Sequence, residues 1–216
     1  MVKDTTNEEK GYAKINLALH VTGIQADGYH TLDSIMVFTD VSDRLFFKRS
    51  LKNVVTLTGE FSKSINVREN SILQALKLFG NGLTDRFSIN LEKNLPIGAG
   101  LGGGSADAAA VIRFITNNSK HLMPSSEALS KIGADIPACV LSVASRVGGI
   151  GEIVRPLDIS EINLWVVLVN PDIFISTGSI FDEVTEKYNQ PLESFIDLSS
   201  TDQFIDYLKR QRNDLQ

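Results

Sequence analysis

The chain has 216 residues and a hydrophobic fraction of 43%, enough for one large domain or two small ones with a buried core. Its formal net charge of −5 argues against a nucleic-acid partner, and its single cysteine excludes an internal disulfide and fits a reducing compartment. No apolar run approaches the ~20 residues of a membrane span, and the polar start of the sequence is not typical of a signal or transit peptide. These properties predict a cytoplasmic protein without a membrane partner.

The first strand predicted along the chain carries two polar residues that allow two interpretations. Residues 1–10 are expected to form a flexible tail, and strict alternation of polar and apolar residues then predicts a strand over Tyr12–Val21. Lys14 and Asn16 share one face of that strand, about 7 Å apart. They belong either to a site or to a solvent-facing surface, and the second interpretation is the default for a lone lysine on a strand.

The rest of the first third is predicted to complete an antiparallel β-meander. A turn at Asp27–His30 precedes three further strands, predicted over 32–38, 44–48 and 54–58. A helix that begins at Asn70 or Ser71 and stops at Gly80 follows them. Another alternating strand, Phe87–Leu91, leads directly into a glycine-rich loop.

Five glycines occur within seven residues of that loop, at positions 98, 100, 102, 103 and 104. Glycine allows positive φ and removes the Cβ atoms that would block a close approach. The residues that follow, Ser105–Thr116, are mostly good helix formers, so the glycines precede a helix N-terminus. Free N–H groups and the positive end of the helix dipole bind anions there, and the sequence therefore predicts a phosphate-binding loop, in which Ser105 can supply a hydroxyl near the phosphates or Mg²⁺ and can also cap the helix.

Other glycine patterns fit this loop less well. A Walker A loop requires a lysine before its Ser or Thr, whereas Gly104 is followed by Ser105 and Ala106. The dinucleotide-binding spacing is present, but the strand before it is amphipathic, and no strand or acidic residue occurs near 117–120. A plain flexible turn would not need five glycines, because their ordering costs conformational entropy.

The remainder of the chain is predicted to contain short helices, a hairpin and one buried strand. The helices are expected at 124–133, from Asp135, at 179–188 and at 201–211, with a bend or hairpin over 144–154. Leu164–Asn170 is predicted to be a buried strand that ends at Pro171. Asp135 is either the N-cap of its helix or a catalytic carboxylate, and these interpretations are evenly balanced on the residues alone.

The glycine loop, entered from an amphipathic strand and followed by an alanine-rich helix, resembles that of the GHMP kinase superfamily. Within it, three stretches resemble, in the same order, motifs of the 4-diphosphocytidyl-2-C-methyl-D-erythritol kinase family: Ala13-Lys14-Ile15-Asn16-Leu17, Asp27-Gly28-Tyr29-His30 and Gly133-Ala134-Asp135-Ile136-Pro137. The resemblance runs from about Tyr12 to Leu215. It implies an α+β fold, with a GHMP kinase N-terminal domain of the ribosomal protein S5 domain 2-like type over 11–157 and a partial ferredoxin-like C-terminal domain over 158–216.

This resemblance also implies an activity. Enzymes of that family transfer the γ-phosphoryl group of ATP to the 2-hydroxyl of 4-diphosphocytidyl-2-C-methyl-D-erythritol, in the non-mevalonate route to isoprenoids. ATP is then the co-substrate, Mg²⁺ is expected to accompany it, and the implied partners are small molecules, with no oligomeric state indicated. Another GHMP small-molecule kinase, or a nucleotide-binding fragment without activity, are the alternatives.

Site residues follow from the same resemblance. Lys14 and Asp135 match the catalytic positions, where a carboxylate accepts the proton of the attacking hydroxyl and a lysine keeps that carboxylate ionised. The positions that match ATP-binding residues are Pro96, Ile97, Gly98, Ala99, Gly100, Leu101, Gly102, Gly103, Gly104, Ser105, Ala106, Lys93 and Asn70. The positions that match substrate-binding residues are Asn16, Tyr29, His30, Thr177 and Phe181. Cytosine is expected to be held by Tyr29 and His30, with Phe181 on its other side, and no metal ligand is assigned.

The sequence departs from the family pattern at its C-terminal end. In relatives, an Asn-Asp-Leu similar to Asn213-Asp214-Leu215 is followed by the rest of the second domain. The expectation is that a longer form is the kinase and that the 216-residue form is weak or inactive.

Overall fold

A six-stranded sheet organises the computed structural model, which describes residues 7–64, 71–80, 85–170, 173, 175–194 and 200–216. Its strands are β1 Asn7–Ile24, β2 His30–Ser50, β3 Val54–Thr58, β4 Arg86–Glu92, β5 Ser145–Gly149 and β6 Ile153–Pro156. The hydrogen-bonded order is β3-β4-β2-β5-β6, and β1 also pairs with β2. All pairs are antiparallel except β3 with β4.

Six α-helices cross or flank this sheet in the described part of the chain. They are α1 Ser71–Leu78, α2 Gly103–Asn118, α3 Ser126–Ser130, α4 Ile136–Leu141, α5 Thr177–Asp182 and α6 Thr201–Arg210. The mixture of a mainly antiparallel sheet with separate helices confirms the predicted α+β class. No helix of the described residues is both long enough and apolar enough to span a bilayer.

The first third of the chain differs from the predicted meander in three respects. Asn7–Lys10 pair with β2 as part of β1, so the prediction of a flexible tail over 1–10 is wrong for these residues. The strands predicted at 32–38 and 44–48 form one continuous strand, because the polar residues between them make a bulge opposite Tyr12 and Lys14 instead of a turn. Strand β4 runs parallel to β3 because helix α1 carries the chain back between them.

Helix α2 places the glycine loop relative to the sheet. Its alanines are buried, the helix packs mainly against β1 and also against β2, and the ring of Phe114 stacks on Phe47 of β2 at a centroid distance of 3.8 Å. Small alanine side chains let the helix approach the sheet closely, and the aromatic pair fixes its far end. Since β4 leads straight into the loop, both ends of the loop are anchored in the core.

The C-terminal quarter contains helices but no strand among its described residues. Leu164–Asn170 belongs to no strand and is exposed, with Trp165 fully exposed, so the prediction of a buried strand there is wrong. No strand of the described residues pairs with this segment, and its apolar side chains are exposed. Helix α5 is also shorter than the predicted 179–188. The division into domains at about residue 157 stays a prediction.

The end of the chain returns to β1. Phe204 and Tyr207 of α6 are buried against Ala18 and Ile35. Beyond α6, the backbone N–H of Leu19 donates to the carbonyl of Arg212 (3.0 Å), and that of Asp214 donates to the carbonyl of Leu19 (2.8 Å). These contacts bring residues far apart in sequence to the edge of one cavity.

Candidate active site

A cavity of about 520 Å³ opens between β1, β2, the start of α4 and helix α5. The two predicted catalytic residues, the five predicted substrate-binding residues and one residue of the glycine loop line it: Lys14, Asp135, Asn16, Tyr29, His30, Thr177, Phe181 and Ser105. They come from four elements and two connecting segments, spread over more than 160 positions of the chain. The structure therefore brings together in one site residues that the sequence could only name separately.

Lys14 and Asp135 form an ion pair in the wall of this cavity. The Nζ atom of Lys14 lies 3.2 Å from Oδ2 of Asp135, and the lysine is buried while the carboxylate is about one-third exposed (32%). Asp135 precedes α4, but its backbone is helical and its side chain makes no capping hydrogen bond. Asp135 thus occupies the N-cap position without capping the helix through its side chain, and its carboxylate contacts a lysine and remains open to the cavity.

The glycine loop has the backbone conformation that its composition predicts. Gly98, Gly100 and Gly102 all have positive φ, at 70°, 73° and 65°. The loop is fixed to β1 by a hydrogen bond of 3.0 Å from the backbone N–H of Lys14 to the carbonyl of Leu101. Helix α2 begins at Gly103, so Ser105 lies within its first turn and is not its cap as predicted.

Lys14 touches the loop through its side chain as well. A Cβ atom at Gly102 would lie 2.7 Å from Cγ of Lys14, which is closer than two carbon atoms can approach. Glycine is thus needed at position 102 both for its φ and for the space that the lysine occupies. The same contact fixes the direction in which the lysine reaches toward Asp135.

The other end of the cavity is aromatic. The rings of His30 and Phe181 stack at a centroid distance of 5.3 Å and an angle of 28°. A flat base inserted between two rings needs about 7 Å, twice the usual contact distance between carbon atoms. The two rings therefore contact each other, and a base bound between them must first separate them. Tyr29 is largely exposed at the rim, with its N–H donating to Oδ1 of Asp27.

Two buried polar atoms of cavity residues lack a hydrogen-bond partner among the described residues. They are Oδ1 of Asn16 and Nε2 of His30. Leaving a buried polar atom unpaired costs free energy, about 1–3 kcal/mol in typical proteins. Both atoms therefore favour a polar ligand in the cavity.

The remaining predicted ATP-binding residues lie elsewhere. Residues 96–104 and Ala106 do not line the cavity but adjoin it through the Leu101–Lys14 hydrogen bond. Lys93 is buried under the loop, where its ammonium contacts two carboxylates, Asp43 and Asp107. Asn70 lies outside the described residues.

Sequence reasoning missed several cavity residues. Asp27 lies in the turn motif that was recognised, and its nearness to Tyr29 was a usable signal. Asp182 and Leu215 also line the cavity, but only tertiary packing places them there. No pattern in the local sequence distinguishes Asp182 from an ordinary surface residue, and the Asn-Asp-Leu stretch that contains Leu215 does not indicate a place in the site.

The amino-acid sequence is similar to a known domain family and to named kinases. Residues 70–151 match the model of the GHMP kinases N terminal domain. A 4-diphosphocytidyl-2-C-methyl-D-erythritol kinase from Cereibacter sphaeroides is 38% identical over 206 residues, which cover 94% of this chain and 73% of that protein. One with the same name from Paracoccus denitrificans is 40% identical over 211 residues, covering 96% of this chain and 72% of the other.

Solved structures give the same result. The crystal structure of a 4-(cytidine 5'-diphospho)-2C-methyl-D-erythritol kinase superposes with a TM-score of 0.70 at 26% identity, covering 97% of this chain and 75% of that one. A mevalonate diphosphate decarboxylase from Legionella pneumophila, at 13% identity and a TM-score of 0.56, shares the fold. The predicted GHMP kinase N-terminal fold is thereby confirmed.

Proposed function

Because the chain belongs to the family of 4-diphosphocytidyl-2-C-methyl-D-erythritol kinases, we propose that its cavity transfers the γ-phosphoryl group of ATP to the 2-hydroxyl of that cytidine diphosphate-linked alcohol. The observation that supports the site assignment is the Lys14–Asp135 pair, 3.2 Å apart in the cavity wall. The cytoplasmic location proposed for the enzyme is supported by its single cysteine, Cys139, which is buried and unpaired.

Asp135 is proposed as the proton acceptor. In the transfer, the bond between the γ-phosphorus and the bridging oxygen of ADP breaks, and a bond from the substrate oxygen to that phosphorus forms. The hydroxyl proton passes to the Asp135 carboxylate, whose partial exposure to the cavity leaves room for the alcohol. Lys14 orients the carboxylate through their ion pair and offsets negative charge that develops near it.

The glycine loop and the first turn of α2 are proposed to hold the phosphates. The first N–H groups of an α-helix have no partner within the helix, so those of Gly103, Gly104 and Ser105 are available to phosphate oxygens. The described residues include no group of three or more His, Cys, Asp or Glu side chains that could hold a metal. Mg²⁺ needs few protein ligands when it binds with phosphates, and the Ser105 hydroxyl fits as one of them. When bound, Mg²⁺ neutralises charge on the phosphate oxygens.

Substrate selection is proposed to lie at the aromatic end of the cavity. The unpartnered Oδ1 of Asn16 and Nε2 of His30 can pair with polar groups of the alcohol or the base. Tyr29 and Phe181 offer ring faces for a cytosine. Thr177 begins helix α5 beside them and supplies a further hydroxyl.

The substitution Asp135→Asn tests the assignment of the proton acceptor. The amide keeps an oxygen that can accept from Lys14 but cannot take the proton of the alcohol. We expect kcat to fall by about 10²–10⁴, the usual contribution of general base catalysis, with the Kd for ATP changed less than about threefold. The release of ADP in the presence of 4-diphosphocytidyl-2-C-methyl-D-erythritol (the cytidylyl alcohol below) measures kcat, and equilibrium titration measures the Kd for ATP.

Glu127→Gln provides the matched control, because Glu127 is an acid in the first turn of the neighbouring helix α3 and does not line the cavity. Its kcat should stay within about twofold of that of the unsubstituted chain. A kcat for Asp135→Asn equal to the control would remove Asp135 from this role. An unsubstituted protein that binds ATP but produces no ADP with the cytidylyl alcohol would contradict the proposed activity itself.

A further inference from the structure

A buried cluster of three charged side chains lies beneath the glycine loop, outside the cavity. Asp43 belongs to β2, Lys93 directly follows β4, and Asp107 lies in α2, and their exposed fractions are 0%, 3% and 2%. The Nζ atom of Lys93 donates to Oδ2 of both carboxylates, at 3.1 Å for Asp107. Charged groups are rarely buried so completely unless a specific geometry requires it.

The Asp43 carboxylate organises the entrance of the loop. Its Oδ1 atom accepts hydrogen bonds from the backbone N–H groups of Asn94 (2.6 Å) and Leu95 (2.9 Å), the two residues before Pro96. The Asn94 side chain in turn donates to the carbonyl of Ser42 (3.2 Å). The chain therefore enters the loop in a direction that one buried carboxylate sets.

Lys93 and Asp107 organise the exit of the loop. A Cβ atom at Gly103, the first residue of α2, would lie 2.9 Å from Nζ of Lys93, so the ammonium packs directly under the helix start. Asp107 follows one turn later on the same helix and accepts from that ammonium. The backbone of Lys93 is itself fixed, since its N–H donates to the carbonyl of Thr58 in β3 (2.7 Å).

The charges in the cluster are coupled. Burial alone would lower the pKa of Lys93, but the carboxylates of Asp107 and Asp43 raise it above its usual value, so the ammonium stays charged. Burial raises the pKa of Asp107, and the Lys93 ammonium opposes that shift only in part. The ammonium is thus the group that links the two carboxylates, and with them the two ends of the loop.

We propose that Asp43, Lys93 and Asp107 form a positioning cluster that holds the glycine loop in its phosphate-binding conformation. Lys93 then acts on ATP through the loop and not by touching the nucleotide. This inference rests on the proposed function, because it assumes that the loop binds the phosphates of ATP. It assigns Asp43 and Asp107, which lie outside the cavity, to the binding of ATP and not to that of the alcohol substrate.

The variants Lys93→Met, Asp43→Asn and the corresponding double variant test the cluster through the split between the two substrates. Each single variant should raise the KM for ATP at least tenfold and leave the KM for the cytidylyl alcohol within twofold, because the aromatic residues proposed to hold its base make no contact with the cluster. The double variant should be no worse than the poorer single variant, since both changes disable the same unit. Equilibrium binding of ATP to the same proteins tests the cluster even without turnover, and so independently of the proposed activity.

Asp33→Asn is the matched control, since Asp33 lies on the same strand and forms its own ion pair with Arg146 (2.6 Å) away from the loop. It should lower the unfolding temperature without a selective effect on ATP. An increase in the KM for ATP with Lys93→Met but not with Asp43→Asn would indicate direct contact and overturn the proposal. Lowered stability with unchanged ATP affinity in both variants would also overturn it.

Asp107→Asn keeps the test decisive where the other variants do not fold. The amide preserves the size of the side chain and an oxygen that can accept from Lys93, but it cannot ionise. We expect an increase of about threefold to tenfold in the Kd for ATP. An unchanged Kd in this variant would contradict the positioning role.

Discussion

Gly102 shows how one missing side chain fixes the position of a proposed catalytic group. Its φ of 65° lies in the left-handed region, and the stem of Lys14 occupies the space where a Cβ atom would be. The lysine therefore passes under the loop on its way to Asp135. A glycine-rich pattern predicted the loop, but the contact between residues 14 and 102 could not be predicted, because it depends on how β1 and the loop pack.

Gly102→Ala should destabilise the protein more than the same change at Gly100. Both glycines have positive φ, so alanine costs about 1–2 kcal/mol of backbone strain at either position. Only at position 102 does the new methyl group meet another side chain, which adds about 1–3 kcal/mol for overpacking, whereas no atom lies within 4 Å of a Cβ at Gly100. Urea unfolding measures both free energies, and equal losses would contradict the contact with Lys14.

Asp107 should make stability depend on pH. Burial raises its pKa to about 7, whereas the carboxyl of an unfolded chain titrates near about 4. Between those two pKa values the folded state binds the proton more tightly than the unfolded state does. The free energy of unfolding therefore decreases as the pH rises from about 4 to about 7. In Asp107→Asn this contribution is absent, and the stability of the variant relative to the unsubstituted chain should increase from pH 4 to pH 8. Urea unfolding measures the difference in the free energy of unfolding between the two proteins, and a difference that does not change with pH would contradict this prediction.

At the scale of elements, periodicity succeeded where a segment has its partner in the chain. The alternation in Tyr12–Val21 put Lys14 and Asn16 on one face, and both do line the cavity. The same logic failed at Leu164–Asn170, where an apolar run has no strand to pair with among the described residues. The merging of two predicted strands into β2 follows from a bulge, and polar residues in a bulge look like a turn in the sequence.

Helix α6 should control the segment that returns to β1. Phe204 is fully buried against Ala18 and Ile35, so Phe204→Ala should cost about 3–5 kcal/mol in docking of this helix. We expect the amide of Asp214, which donates to the carbonyl of Leu19, to exchange hydrogen much faster in this variant, while core amides of α2 change less.

Lys209→Ala is the control for that experiment, because Lys209 lies on the exposed side of the same helix. Its effect on stability should stay within about 0.5 kcal/mol, with no change in exchange at Asp214. Slow exchange of the Asp214 amide in Phe204→Ala would show that the return segment does not depend on α6.

At the scale of the whole molecule, the candidate site consists of residues that only the complete fold assembles. Lys14 and Asp135 are 3.2 Å apart although they belong to the first strand and to a later helix start, and Phe181 contacts His30 across the same cavity. The resemblance of motifs predicted these residues, whereas periodicity and composition alone left Asp135 undecided and assigned Tyr29 and His30 to an ordinary turn. The buried cluster of Asp43, Lys93 and Asp107 was not predicted as a unit, because its members are far apart in the sequence and only the fold brings them together.

Helix α4 begins without help from the side chain of Asp135, so folding and chemistry make separate demands on that position. Asparagine there retains an acceptor for Lys14 and leaves the cavity its shape. The Asp135→Asn protein can therefore be saturated with both ATP and the alcohol while transfer is slowed. A crystal of that variant, soaked briefly with the natural nucleotide and frozen before transfer proceeds, would display the γ-phosphoryl group and the accepting hydroxyl side by side without a non-hydrolysable analogue.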